Sequence, residues 1–106
     1  MELKRNEIGT YTISEKAFKD IAAIACSNVK NVYPAKKDNE FVECKFNKNG
    51  EPEMNVSIRV KQGSDIVKLC NKIQDEINEA VLLMTGIECK KIDIDIQGFE
   101  SVKEKK

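Results

Sequence analysis

The period of the apolar positions changes several times along the chain, and each change marks an element. Glu7 to Ile13 (EIGTYTI) is rich in β-branched and aromatic residues and predicts a short first strand. Ser14 follows as an N-cap, with Glu15 in the first turn where the positive end of a helix dipole favours it. Phe18, Ile21, Ala22, Ala25 and Val29 then share one helical stripe, and the helix is expected to end near Ser27 or Asn28. In Phe41 to Phe46, Val42, Cys44 and Phe46 alternate with Glu43 and Lys45. In Met54 to Val60, Met54, Val56, Ile58 and Val60 alternate with Asn55, Ser57 and Arg59. Period two on both sides of Asn47-Lys48-Asn49-Gly50 predicts a β-hairpin.

A second helix is predicted where Ile66, Cys70, Ile73, Ile77, Ala80 and Met84 step by fours and threes, with Leu69 and Val81 widening the stripe. Ser64 or Asp65 caps its start, and Gly86 suits a left-handed stop with Ile87 packing back on Leu82 in a Schellman arrangement. A last strand runs from Lys91 to Gln97, where Ile92, Ile94 and Ile96 alternate with Asp93 and Asp95 until Gly98 breaks the pattern. Asn28 to Glu40 (NVKNVYPAKKDNE) reads as a solvated connection, and Glu100 to Lys106 as a frayed charged tail.

The order β-α-β-β-α-β predicts an α+β fold of two layers, a mainly antiparallel four-stranded sheet with two helices on one face. Glu43, Lys45, Ser57, Arg59, Lys61, Asp93 and Asp95 then form its hydrophilic outer face. The chain has 106 residues, so one domain spanning 1–106 is expected, with an ordered core over about 7–99.

Composition narrows the function classes. Lys+Arg and Asp+Glu both number 18, so no net field draws the molecule to nucleic acid or anionic lipid. The absence of His removes the commonest general base and metal ligand. No apolar run reaches the roughly 20 residues of a membrane span, and Met1 to Thr10 carries no signal-peptide pattern, so a cytoplasmic location without membrane insertion is expected. Cys26, Cys44, Cys70 and Cys89 form no C-x-x-C pair and read as reduced thiols packed as small apolar residues.

Asp93 and Asp95 point the same way from one strand, as a metal or acid–base pair requires, but an exposed strand face gives the same spacing. They are read as solvated and paired across strands with Arg59 or Lys61. The element order is shared with RNA-binding modules that stack bases on sheet aromatics, yet the outward positions of the two central-looking strands carry no Phe, Tyr or Trp. The glycines are too scattered for a phosphate-cradling loop. No catalytic residue, metal or cofactor is expected.

Three stretches read together resemble the alkaline shock protein family: IGTYTISEKAFKDIAAIA (Ile8 to Ala25), MNVSIRVKQGSDIVKLCNKIQDEINEAVLLMTGIE (Met54 to Glu88) and KKIDIDIQGFE (Lys90 to Glu100). They are similar to the family's opening strand and Ala-rich helix, its strand, glycine turn and long helix closing on Thr-Gly, and its final strand with a Gln-Gly signature. Asn31-Val32 stands where the family usually has Gly-Val, and Gln62 where it has an aromatic. The resemblance implies a cytoplasmic, non-enzymatic protein linked to alkaline or cell-envelope stress. Some members are held near the membrane by an anchor protein. The expected role is a scaffold or protein-interaction module, with Arg59, Lys61, Asp93 and Asp95 as candidate partner surface and an anchor protein or a second copy as partner. The alternative is an RNA- or small-ligand-binding module on the same face.

Overall fold

The computed structural model describes residues 2–5 and 9–101, with side chains from residue 13 onward. Its elements are β1 (Glu2–Arg5), β2 (Gly9–Thr12), α1 (Glu15–Ser27), β3 (Val32–Pro34), β4 (Val42–Phe46), β5 (Pro52–Lys61), α2 (Ile66–Thr85) and β6 (Lys91–Glu100).

Both helices start at the residues the caps predict. Ser14 Oγ accepts the Ala17 N–H at 3.2 Å, and Asp65 Oδ1 accepts the Lys68 N–H at 3.2 Å, each satisfying a donor that the first helical turn leaves free. At the end of α2, Gly86 is left-handed (φ 76°) and its N–H donates to the Leu82 carbonyl at 2.8 Å. The hydrogen bonds are not those of a Schellman stop. Ile87 gives its N–H to Thr85 Oγ1 at 3.0 Å and its side chain enters the core, while Leu82 stays 45% exposed. This is the simpler left-handed stop with one backbone bond.

β5 is the axis of the main sheet. On one edge it pairs antiparallel with β4 (Val42↔Val56 to Phe46↔Pro52) and then with β3 (Val32↔Val60 to Pro34↔Ile58), the two lying end to end. On the other edge it pairs in parallel with β6, from Glu53↔Lys91 to Lys61↔Glu100, with α2 as the crossover. The fold is the predicted α+β arrangement, its main sheet holding two antiparallel ladders and one parallel.

The identity of the fourth strand differs from expectation. β2 pairs with β1 in a separate two-stranded ladder, and β3 takes a place in the main sheet. Residues 7 and 8 of the predicted first strand, and residues 102–106 of the predicted tail, lie outside the described residues. β3 falls inside the segment read as a connection, because three residues are too few to display a period. Pro34 is tolerated there because β3 is an edge strand whose missing N–H leaves no ladder bond unmade inside the sheet. Asn31 adopts the left-handed φ of 69° that turns the chain into β3. Asn tolerates that conformation better than other residues with a Cβ.

The inward row of β5 (Pro52, Met54, Val56, Ile58, Val60) alternates with a more accessible outer row. Phe18 and Ala22 of α1 and Ile73, Ile77 and Val81 of α2 complete the core above it. The buried face of α1 is wider than the predicted stripe, because Ala23 and Cys26 are also buried, whereas Ile21 is only half-buried. That width follows from packing on both the sheet and α2. Met84, predicted in the stripe of α2, is 70% exposed; the buried line steps by four through Ile73, Ile77 and Val81 and turns away from it.

Asn47 organises the β4–β5 reversal. Its Oδ1 accepts the N–H groups of Asn49 and Glu51, and its Nδ2 donates to Glu51 Oε1 and Glu53 Oε2. Asn47→Ala removes these bonds and should lower stability by about 1–2 kcal/mol in urea denaturation. A loss below about 0.3 kcal/mol would show that solvent replaces them without cost.

Candidate functional site

The outer face of the sheet is built by the pleat. Because Val56, Ile58 and Val60 turn inward, Asn55, Ser57, Arg59 and Lys61 turn outward, with Asp93 and Asp95 opposite Asn55 and Ser57. β3 adds Tyr33, the register partner of Arg59, as a half-buried aromatic on this face. Tyr33 lies outside the hairpin and the last strand, so their alternation does not reveal it. The available signal was the β-branched–aromatic pair Val32-Tyr33.

The structure brings Arg59, Lys61, Asp93 and Asp95 onto one face but does not pair them as expected. Arg59 Nη2 meets Glu100 Oε2 at 2.9 Å. Asp93 meets Lys91 Nζ on its own strand at 3.6 Å, and Asp95 accepts from Gln97 Nε2 at 2.6 Å. The cause is the ladder: the parallel register places polar uncharged residues opposite both aspartates. A bulge at Gln97 then sets Gly98 opposite Arg59 and Glu100 opposite Lys61. Gly98 therefore continues the strand through an irregularity instead of ending it. These ion pairs are partly exposed and contribute little to stability.

A shallow depression of about 250 Å³ lies on this face, between Lys45, Glu53, Asn55, Lys91 and Asp93. Basic and acidic side chains are interspersed around it, so no field of one sign forms. A wider hollow of about 730 Å³ is an open trough lined by Glu15, Lys16, Lys19 and Lys45, away from Arg59 and Asp95. A third hollow of about 210 Å³ separates α1 from β3 and the following loop, with Cys26, Val32 and Phe41 in its wall. That loop is tied to α1 where Asn39 Nδ2 donates to Asp20 Oδ1 at 2.7 Å. This bond, followed by that from Lys16, holds the Asp20 carboxyl below its ordinary value.

The thiols are not activated. Burial pushes Cys26 up to about 12, and Cys44 and Cys89 up to about 11; Cys70 is raised by the same cause. Since the thiolate is the reactive form, a thiol with a pKa of about 11 is only about one part in a thousand ionised at pH 8. Iodoacetamide at pH 8 should modify the folded protein many times more slowly than the unfolded chain, beginning at half-buried Cys70. Rapid labelling at Cys26 would contradict this. Among the described residues no three His, Cys, Asp or Glu side chains form a set able to hold a metal ion.

Residues 34–101, well over half of the chain, match the model of the alkaline shock protein family, described as having a cell envelope-related function. The matched stretch contains the whole of β4, β5, α2 and β6. No curated protein and no solved structure matches the chain. No described helix is long and apolar enough to cross a membrane.

Proposed function

The chain belongs to the alkaline shock protein family, whose function is cell envelope-related, and on that premise we propose that it acts as a non-enzymatic scaffold or protein-interaction module. One observation carries the reading: among the described residues nothing covers the outer face of the main sheet, which presents Tyr33, Arg59, Lys61, Asp93 and Asp95 together. A broad polar face with an aromatic and charges of both signs suits recognition of a protein surface. Among the described residues it carries a shallow depression and no convergent pocket of the kind in which substrates are enclosed. On this reading the protein works in the cytoplasm and reaches the envelope through a partner, an anchor protein being one such partner.

Light scattering against concentration, with affinity capture from host lysate that retains its membranes, tests the proposal. Capture of a defined partner that is lost in Tyr33→Ala and Arg59→Glu supports it. A strict monomer that captures nothing overturns it. So does a mobility shift of labelled RNA with a steep salt dependence, which would make this face a nucleic-acid platform.

A further inference from the structure

Beyond the outer face, the structure has an unused edge. β6 is ten residues long and, among the described residues, pairs only with β5, so its other side is an open strand edge. Such edges invite pairing, and proteins usually block them with charges, bulges or covering segments. Here the blocking is local. Gln74 of α2 donates its Nε2 to the Ile92 carbonyl at 2.9 Å, and the bulge at Gln97 interrupts the far end. Between these points lie Asp93, Ile94, Asp95 and Ile96. On the helix side Ile92, Ile94 and Ile96 pack against the core but stay only half-buried, and Phe99, opposite Val60, is 55% exposed. On the outer side Asp93 and Asp95 are exposed.

We infer that the β6 edge is a docking site for an extended peptide segment in which Lys or Arg alternates with apolar residues, added as a further strand. Charge selects this occupant, whose cations take the place of the exposed same-strand partners Lys91 at Asp93 and Gln97 at Asp95. The added strand places its apolar residues beside Ile94 and Ile96 and its cations beside Asp93 and Asp95, so both faces of the pleat are matched. A second copy is disfavoured. Antiparallel pairing of β6 with itself through this stretch sets Asp93 against Asp95, or an aspartate against its own copy, and like charges directly opposite each other destabilise a ladder. The inference rests on the interaction-module reading and names a partner chemistry and an edge for it.

The test uses the full chain and the synthetic peptide acetyl-Thr-Lys-Val-Lys-Val-Lys-Thr-amide, with a Glu-for-Lys peptide as control. The expected result is saturable binding of the Lys peptide and not of the control, weakened by salt, with slowed amide exchange at Ile94 and Ile96. Asp93→Asn with Asp95→Asn should weaken binding about three- to tenfold, because two cross-strand charge pairs are lost. Both sites are exposed, so the double variant should keep the wild-type circular dichroism spectrum. No binding of the Lys peptide, binding indifferent to the double variant, or protection elsewhere overturns the proposal. A stable dimer protected along β6 also overturns it. Failure here with partner capture intact refutes the edge alone; failure of both refutes the reading beneath it.

Discussion

Phe18→Ala should lower the free energy of unfolding by about 3–5 kcal/mol, the cost of truncating a fully enclosed aromatic where the surroundings collapse only in part. Phe18 has no exposed surface and meets the ring of Phe46 edge-on, with centroids 5.6 Å apart and planes at 82°. It joins α1 to β4, so its loss weakens the helix layer and the hairpin together. A domain of this size has roughly 5–15 kcal/mol in total, so the variant should be marginal at 37 °C. Urea denaturation measures this: the midpoint should fall sharply with little change in slope. Phe99→Ala, on the exposed edge, should cost under about 1 kcal/mol. Equal losses in the two variants would mean that the layer contact does not organise the core.

Alkali should unfold the protein in a window set by its thiols. In the folded state the Cys26 thiol is raised to about 12, and Cys44 and Cys89 to about 11, from an ordinary value of 9.0. The folded chain thus holds thiol protons that the unfolded chain releases. Stability from this source is complete below about pH 9 and is lost as pH rises toward 11–12. By pH 10 the unfolded chain has released most of these thiol protons and the folded chain has not, a loss on the order of a few kcal/mol relative to neutral pH to which the well-buried Cys26 contributes most. Thermal melts at pH 8 and pH 10 should show a fall that is reduced in Cys26→Ala with Cys44→Ala, since alanine does not ionise. Other groups that titrate above pH 9 are common to both proteins and cancel in the comparison. An unchanged pH slope in the double variant would defeat this account.

The sheet and the candidate surface differ in how plainly the chain announces them. The β4–β5 hairpin and both helices are legible because each carries a complete local signature. Ser14 and Asp65 cap, Gly86 stops, and the alternation of Val56, Ile58 and Val60 selects a face before any partner strand is known. β3 is not legible in this way, since Val32, Tyr33 and Pro34 become a strand only because β5 offers them an edge. Arg59, Lys61, Asp93 and Asp95 follow from the alternation as outward residues, but their partners do not. Which charge meets which depends on the parallel register of β6 and on one extra residue at Gln97.

The sequence by itself determined both helices, the β4–β5 hairpin, the last strand and the charge-neutral polar surface, because periodicity, capping and composition act within a few residues. Only the tertiary structure decided that β2 pairs with β1, that β3 enters the main sheet, that Arg59 meets Glu100, and that β6, among the described residues, pairs with β5 alone. Those outcomes depend on which segments compete for the two sides of β5. That competition is settled by contacts between residues far apart in the chain, which no local pattern records.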